Sequence, residues 1–127
     1  MSESISLIDT SAWISYFHQK HNSPISEKVA HSISTQTAGI CEMVLLELRK
    51  GSGTFHKRKL ELVESVSMNF SIDSEVWNYS YKFAELLRSK GTPVPNSDIL
   101  IFATASRYGL ELIHQDKHFE MMKEALG

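Results

Sequence analysis

Cysteine is nearly absent from the chain, which excludes one way of holding a small fold together. Cys41 is the single example among 127 residues, so no internal disulfide can form, and this usage fits a reducing compartment. Long apolar runs are absent too: no stretch approaches the roughly eighteen residues of a membrane span. The opening MSESISLIDT lacks the basic start and apolar run of a secretory signal, so the cytoplasm is the expected location. There is no internal repeat, low-complexity tract or long linker, and residues 1–127 are expected to form one domain. A strong positive charge is also missing. The formal net charge of −2 argues against a protein that coats nucleic acid by charge alone. It does not exclude a nuclease, because a site built from carboxylates lowers the net charge by itself. The cysteine and histidine spacing that holds structural zinc is absent as well.

What is present suffices for one core, with 42% of residues hydrophobic and 22% charged. Ile5 to Ile8 is a short apolar run ending at Asp9 and reads as a first strand. Thr10 and Ser11 offer an N-cap to a helix carrying Trp13, Ile14 and Phe17. Ser23-Pro24 opens a second helix through Ile25, Val29 and Ile33, which the region 35–37 ends. Residues 37–41 read as a strand, and 43–50 as a helix closed by Gly51. A helix over about 55–66, a strand at 68–72, and a longer helix capped by Asp73 follow. Gly91 stops that helix, and Asn96-Ser97 caps the next, from Asp98 to Tyr108. Residues 111–114 form a last strand, and Asp116 starts a terminal helix. Alternating strands and helices predict an α/β fold with a parallel sheet covered on both faces.

In such sheets, ligands sit in the crevice beyond the C-terminal strand ends. Asp9 directly follows the first strand and Asp116 the last, while Asp98 lies in the first turn of a helix and can face the same edge. Glu47 sits in Val44-Leu45-Leu46-Glu47-Leu48, a stretch apolar on nearly every side, where an ionised carboxylate needs a cation or a proton. Taken singly, Asp9 and Asp116 also read as helix caps, Asp98 as a first-turn acid, and Glu47 as a side chain reaching solvent. Those separate accounts leave unexplained why four acids share one edge. Clustered carboxylates repel, and hard divalent cations such as Mg²⁺ or Mn²⁺ relieve the repulsion. A hydrated ion of this kind is suited to phosphodiester hydrolysis.

These segments resemble the PIN-domain family. Ile8-Asp9-Thr10-Ser11-Ala12-Trp13-Ile14 is similar to its opening strand and turn, and Val44 to Gly51 to its acidic helix. Asn96 to Ala105 resembles the segment bearing its third acid, and Leu112 to Phe119 the last strand and fourth acid. The blocks run in the family's order from residue 5 to 120, and the compact length is similar to VapC-type toxins of bacterial toxin–antitoxin pairs. The resemblance implies an α/β/α sandwich around a central parallel sheet. It implies a Mg²⁺- or Mn²⁺-dependent endoribonuclease acting on structured RNA such as tRNA or rRNA. It also implies a homodimer, neutralised by a VapB-like antitoxin that inserts a segment near the acids. Carried over by position, Asp9, Glu47, Asp98 and Asp116 are the catalytic, metal-binding set.

Two positions depart from the pattern: His114 stands where Thr or Ser is common, and His118 where an acid is common. His118 reads first as an exposed histidine at a helix start, and also as a candidate for a supporting role on metal or phosphate. Thr10 and Ser11 are candidates for orienting Asp9 or water. Candidate RNA contacts are Arg49, Lys50 and the basic run Lys57-Arg58-Lys59. The apolar residues Trp13, Tyr16, Phe17, Ile25 and Val29 exceed what a small core is expected to use, which suggests a partner patch. A rival reading is a catalytically silent PIN-like module that binds RNA or protein. The intact acids oppose it, because a binding surface for a polyanion has no need of gathered negative charge. A phospho-receiver fold normally opens with adjacent acids, and an Asp-x-Asp phosphatase needs an acid where Ser11 stands; neither pattern is met.

Overall fold

Leu7 and Ile8 have no exposed surface, and in a strand, where neighbours point to opposite faces, this requires a sheet covered on both sides. A computed structural model, which describes residues 4–18, 23–51 and 57–127, places them in β1 (Ser6–Ile8) at an inner position of a parallel sheet. The spatial order is β3 (Met68–Phe70), β2 (Ala38–Cys41), β1 and β4 (Glu111–Ile113). Pairing registers Leu7 with Gly39 on one side and with Leu112 on the other. The helices are α1 (Thr10–His18), α2 (Pro24–Ser34), α3 (Glu42–Lys50), α4 (Lys57–Val66), α5 (Ser74–Ser89), α6 (Asn96–Tyr108) and α7 (Lys117–Leu126). They flank the sheet in an α/β/α sandwich. Among the described residues no helix is long and apolar enough to cross a membrane.

The chain moves outward from β1 to β2 and β3, then returns to the opposite side of β1 for β4. The crevice between the ends of β1 and β4 is therefore the topological switch point, where the loops part and leave room for a ligand. The Asp9 N–H donates to the Ile113 carbonyl at 2.9 Å, extending the ladder up to the lip of that crevice.

Helix α6 explains much of the packing. Ile99, Leu100, Ile101, Ala103 and Ala105 are all buried, so the helix is apolar nearly all round. Leu100 and Ala103 pack with Val76 of α5, and Ile99, Ile101 and Ala105 join the main core with Leu7, Ile8 and Trp13. The helix ends on Gly109 at φ 65°, where a left-handed residue closes the last turn.

Several local expectations are corrected. Thr10 and Ser11 lie inside α1, and the cap is Asp9, whose carboxylate accepts the Ser11 N–H at 3.1 Å. Asn96 and Ser97 lie inside α6, because the extended Pro95 already supplies the carbonyl that accepts the Asp98 and Ile99 N–H groups. The core takes up part of the apolar surplus of α1 and α2. Trp13 and Val29 are fully buried, while Tyr16, Phe17 and Ile25 are half-buried against the core. Trp13 stacks on Phe17 with centroids 6.2 Å apart. Phe55, the expected start of the fourth helix, lies outside the described residues.

Gly39 shows how tightly the sheet is covered. A Cβ there would lie 3.0 Å from the Phe70 ring and 3.1 Å from the Ser6 carbonyl oxygen. Gly39→Ala is expected to lower stability by about 1–3 kcal/mol, read as a reduced denaturant midpoint at unchanged slope.

Candidate active site

The four acids arrive at the switch-point crevice on four different elements. Asp9 follows β1 and is 3% exposed; Asp98 lies in the first turn of α6 and is 7% exposed. Glu47 comes from the middle of α3, and Asp116 caps α7; both are half-buried. Glu47 differs from its sequence reading, because Leu46 is exposed and α3 is not apolar on every side.

Short hydrogen bonds hold the set. The Thr10 hydroxyl donates to Glu47 Oε1 at 2.6 Å, tying α3 to the start of α1. Ser11 Oγ donates to Asp9 Oδ2 at 2.6 Å and accepts the Gln115 N–H at 2.9 Å. One hydroxyl thus joins the Asp9 carboxylate to the loop leaving β4. Asp116 Oδ1 accepts the His118 N–H at 2.9 Å. The capping and functional readings of Asp9 and Asp116 are therefore compatible: the backbone contacts that cap each helix also fix each carboxylate.

The electrostatics reflect this convergence. Asp98 is pushed up to about 6, first by burial and then by the negative charges of Asp116 and Asp9, with a smaller contribution from Glu47; His118 opposes the rise. Burial also raises Asp9, against the Ser11 hydrogen bonds that lower it, and Asp116 adds to the rise. Among the described residues, no lysine or arginine forms an ion pair with any of the four. Among the described residues, the gathered charge thus has only the imidazole of His118 beside it as a basic group.

His118 projects into this set, contrary to the expectation of an exposed histidine at a helix start. Its Nδ1 lies 3.2 Å from Asp98 Oδ2 and 3.0 Å from Asp116 Oδ1. Donor atoms of Asp98, Asp116 and His118 all lie within 4.8 Å of one another, a group able to hold a metal ion. His114 has a different task. Its ring rests on Phe119, its Nε2 lies 3.0 Å from a Glu120 oxygen, and its Nδ1 accepts the Asp116 N–H at 3.3 Å. It braces the loop that carries Asp116.

A further acid at this sheet edge is marked by nothing in the local sequence. Glu42 opens α3 just past β2, and its carboxylate accepts the Ile72 N–H, so it closes the turn after β3. The buried thiol of Cys41 is pushed up to about 11, chiefly by burial, which leaves no thiolate nucleophile at neutral pH. Among the basic candidates, Arg49 pairs with Glu64 and Lys59 lies over the Phe17 ring at 5.9 Å. Lys50, Lys57 and Arg58 are exposed.

The sequence profile of the PIN domain family matches residues 6–125. The chain belongs to this family. It is 30% identical over 123 residues to ribonuclease VapC11 of Mycobacterium tuberculosis, covering 91% of this chain and 90% of that one. A VapC ribonuclease of Mycobacterium bovis matches to the same extent. The same architecture occurs in VapBC2 of Rickettsia felis, solved with a DNA fragment from its promoter. There the TM-score is 0.78 at 21% identity, with 93% of this chain and 92% of that chain covered. DNA-bound VapBC of Salmonella typhimurium gives 0.73 at 24% identity, over 93% and 92%. These likenesses confirm the expected PIN architecture, and the four acids of this PIN domain lie at its switch-point crevice.

The raised carboxyl of Asp98 has a consequence for stability. In the unfolded chain it ionises near 3.8 and in the fold near 6, so the fold is penalised as pH rises through that window. Asp98→Asn removes the penalty. In chelating buffer at about pH 7.5 the variant is expected to be more stable than the parent by up to about 3 kcal/mol. The gain should fade below about pH 4, where Asp98 is protonated in both states; denaturant midpoints at the two pH values measure this.

Proposed function

We propose that this PIN domain, one domain over residues 1–127, is the ribonuclease toxin of a VapBC-type toxin–antitoxin pair. Its reaction is hydrolysis of phosphodiester bonds in structured RNA such as tRNA or rRNA, supported by Mg²⁺ or Mn²⁺. The observation that carries this reading is the convergence of Asp9, Glu47, Asp98 and Asp116 in a crevice where, among the described residues, no lysine or arginine pairs with them. The VapC ribonucleases to which the chain is similar support the choice of RNA. The solved VapBC complexes support a VapB-like antitoxin as partner. A homodimer working in the cytoplasm completes the proposal.

The donor set suits a hard divalent ion: four carboxylates, two of them almost fully buried, with Asp98 raised by burial and by its acidic neighbours. Asp9, Asp98 and Asp116 would hold the ion, with Glu47 at its border. When bound, such an ion lowers the barrier by activating water, neutralising phosphate charge and steadying the departing oxygen. The protein's own groups do the positioning. Ser11 holds Asp9 through Oδ2, and Thr10 holds Glu47 through Oε1. A fixed Glu47 is placed to orient the attacking water and accept its proton. Attack by water on phosphorus leaves a 5′-phosphate and a 3′-hydroxyl. Arg49, Lys50 and the 57–59 run are proposed to follow the RNA backbone, a role in which charge matters and base identity does not.

Asp9→Asn preserves shape and removes charge. In Mg²⁺ or Mn²⁺ it is expected to cut structured RNA more slowly by roughly a hundredfold or more, in a gel assay, while the fold is retained. Cleavage at the parent rate would overturn the proposed site, and parental RNA binding with no cutting by either protein would favour a binding module. Replacing Lys57 and Arg58 by Ala should raise KM and flatten its salt dependence, by about one unit of slope for each phosphate no longer held, with kcat little changed.

A further inference from the structure

Three observations single out His118 within the acidic crevice. Its Nδ1 is buried, although the side chain as a whole is 27% exposed, and it makes no aligned hydrogen bond to either neighbouring carboxylate. The same atom lies 3.2 Å from Asp98 Oδ2 and 3.0 Å from Asp116 Oδ1. Its position is also fixed from below, because the Asp116 carboxylate that it faces accepts its own backbone N–H at 2.9 Å. Helix α7 thus begins by aiming one imidazole nitrogen at two carboxylate oxygens.

The spacing has a chemical meaning. Two donor atoms on adjacent corners of an octahedron, each about 2.1 Å from a small divalent ion, sit about 3 Å apart. The two nitrogen–oxygen separations match such edges. Imidazole nitrogen is a softer donor than carboxylate oxygen, so adding one to an oxygen set changes which ions are favoured. Mg²⁺ gains little from nitrogen, whereas Mn²⁺, Co²⁺ and Ni²⁺ gain progressively more along the series of rising affinity.

We propose that His118 Nδ1 is a nitrogen ligand of the ion held by Asp98 and Asp116, and that it biases this site toward Mn²⁺, Co²⁺ and Ni²⁺ over Mg²⁺. This rests on the metal-dependent reading above and adds to it a nitrogen donor and an ion preference. His114, two residues before Asp116, is excluded from the role because its two ring nitrogens are taken by Glu120 and the Asp116 N–H.

The test uses untagged full-length protein freed of metal, with two readouts that do not depend on activity. Pulsed electron paramagnetic resonance of the Mn²⁺-loaded parent should show modulation from a directly bound ¹⁴N nucleus. His118→Asn should still bind Mn²⁺ and lose that modulation. By calorimetric titration, the same variant should lose roughly tenfold or more in Ni²⁺ affinity while Mg²⁺ affinity stays within about threefold. His118→Gln, which keeps a polar side chain of similar length, should behave as the Asn variant does. Bound Mn²⁺ without nitrogen modulation in the parent, or equal loss of Ni²⁺ and Mg²⁺ affinity, would overturn the proposal and leave the metal site standing. Failure of the parent to bind any of these ions would overturn the metal-dependent reading together with it.

Discussion

Mutual repulsion among carboxylates governs the upper edge of this molecule. Asp9 and Asp98 are almost fully buried, and Asp116 and Glu47 are close enough to help raise the Asp98 carboxyl to about 6. Left to themselves, such groups would turn outward to water. They are kept in place because their positions are written into the backbone: Asp9 and Asp116 each accept backbone N–H groups at the start of a helix. Asp98 sits in the first turn of α6. Helices α1, α6 and α7 therefore present their N-terminal ends beside the negative charge, and their dipoles offset part of the repulsion. The Ser11 and Thr10 hydroxyls hold the remaining freedom.

The rest of the fold can be understood as the support this arrangement requires. A four-stranded parallel sheet with β1 inside supplies a rigid floor, and fully buried Leu7, Ile8 and Trp13 fix the strand that ends at Asp9. Helix α6 is buried over most of its surface, so Asp98 rides on one of the best-anchored elements of the chain. The energy stored as repulsion at one edge is offset by burial throughout the core, a distribution expected where binding rather than stability sets the choice of residues.

Much of this is legible in the sequence, and the reasons differ from residue to residue. Strand-end logic alone places Asp9 and Asp116 at the crevice, since a parallel sheet puts every strand's C-terminal end on the same side. Asp73 and Ser23 are legible as caps because side chain and helix start are adjacent in sequence. Gly51 and Gly109 likewise mark real helix ends. Asp98 and Glu47 draw their site assignment mainly from family resemblance, because a helix position does not reveal which way the helix packs. The misreadings share that cause. Trp13 and Val29 look like surplus apolar surface in sequence, yet packing of α1, α2 and the sheet buries both. His118 looks exposed, although its approach to Asp98 spans twenty residues and depends on the meeting of α6 and α7. Glu42 has no local signal because its partner, the Ile72 N–H, lies thirty residues away.

The central claim is that these carboxylates share one divalent ion, and proton release on binding tests it most directly. An ion that relieves the repulsion must also displace the proton that Asp98 carries near its raised value of about 6. Titration of Mn²⁺ into metal-free protein, in buffers of different ionisation enthalpy, counts those protons. The account predicts at least about half a proton released per ion at pH 6, from Asp98 with any share from the raised Asp9, and clearly less at pH 8. Binding with no pH-dependent release, or no binding at either pH, would contradict it.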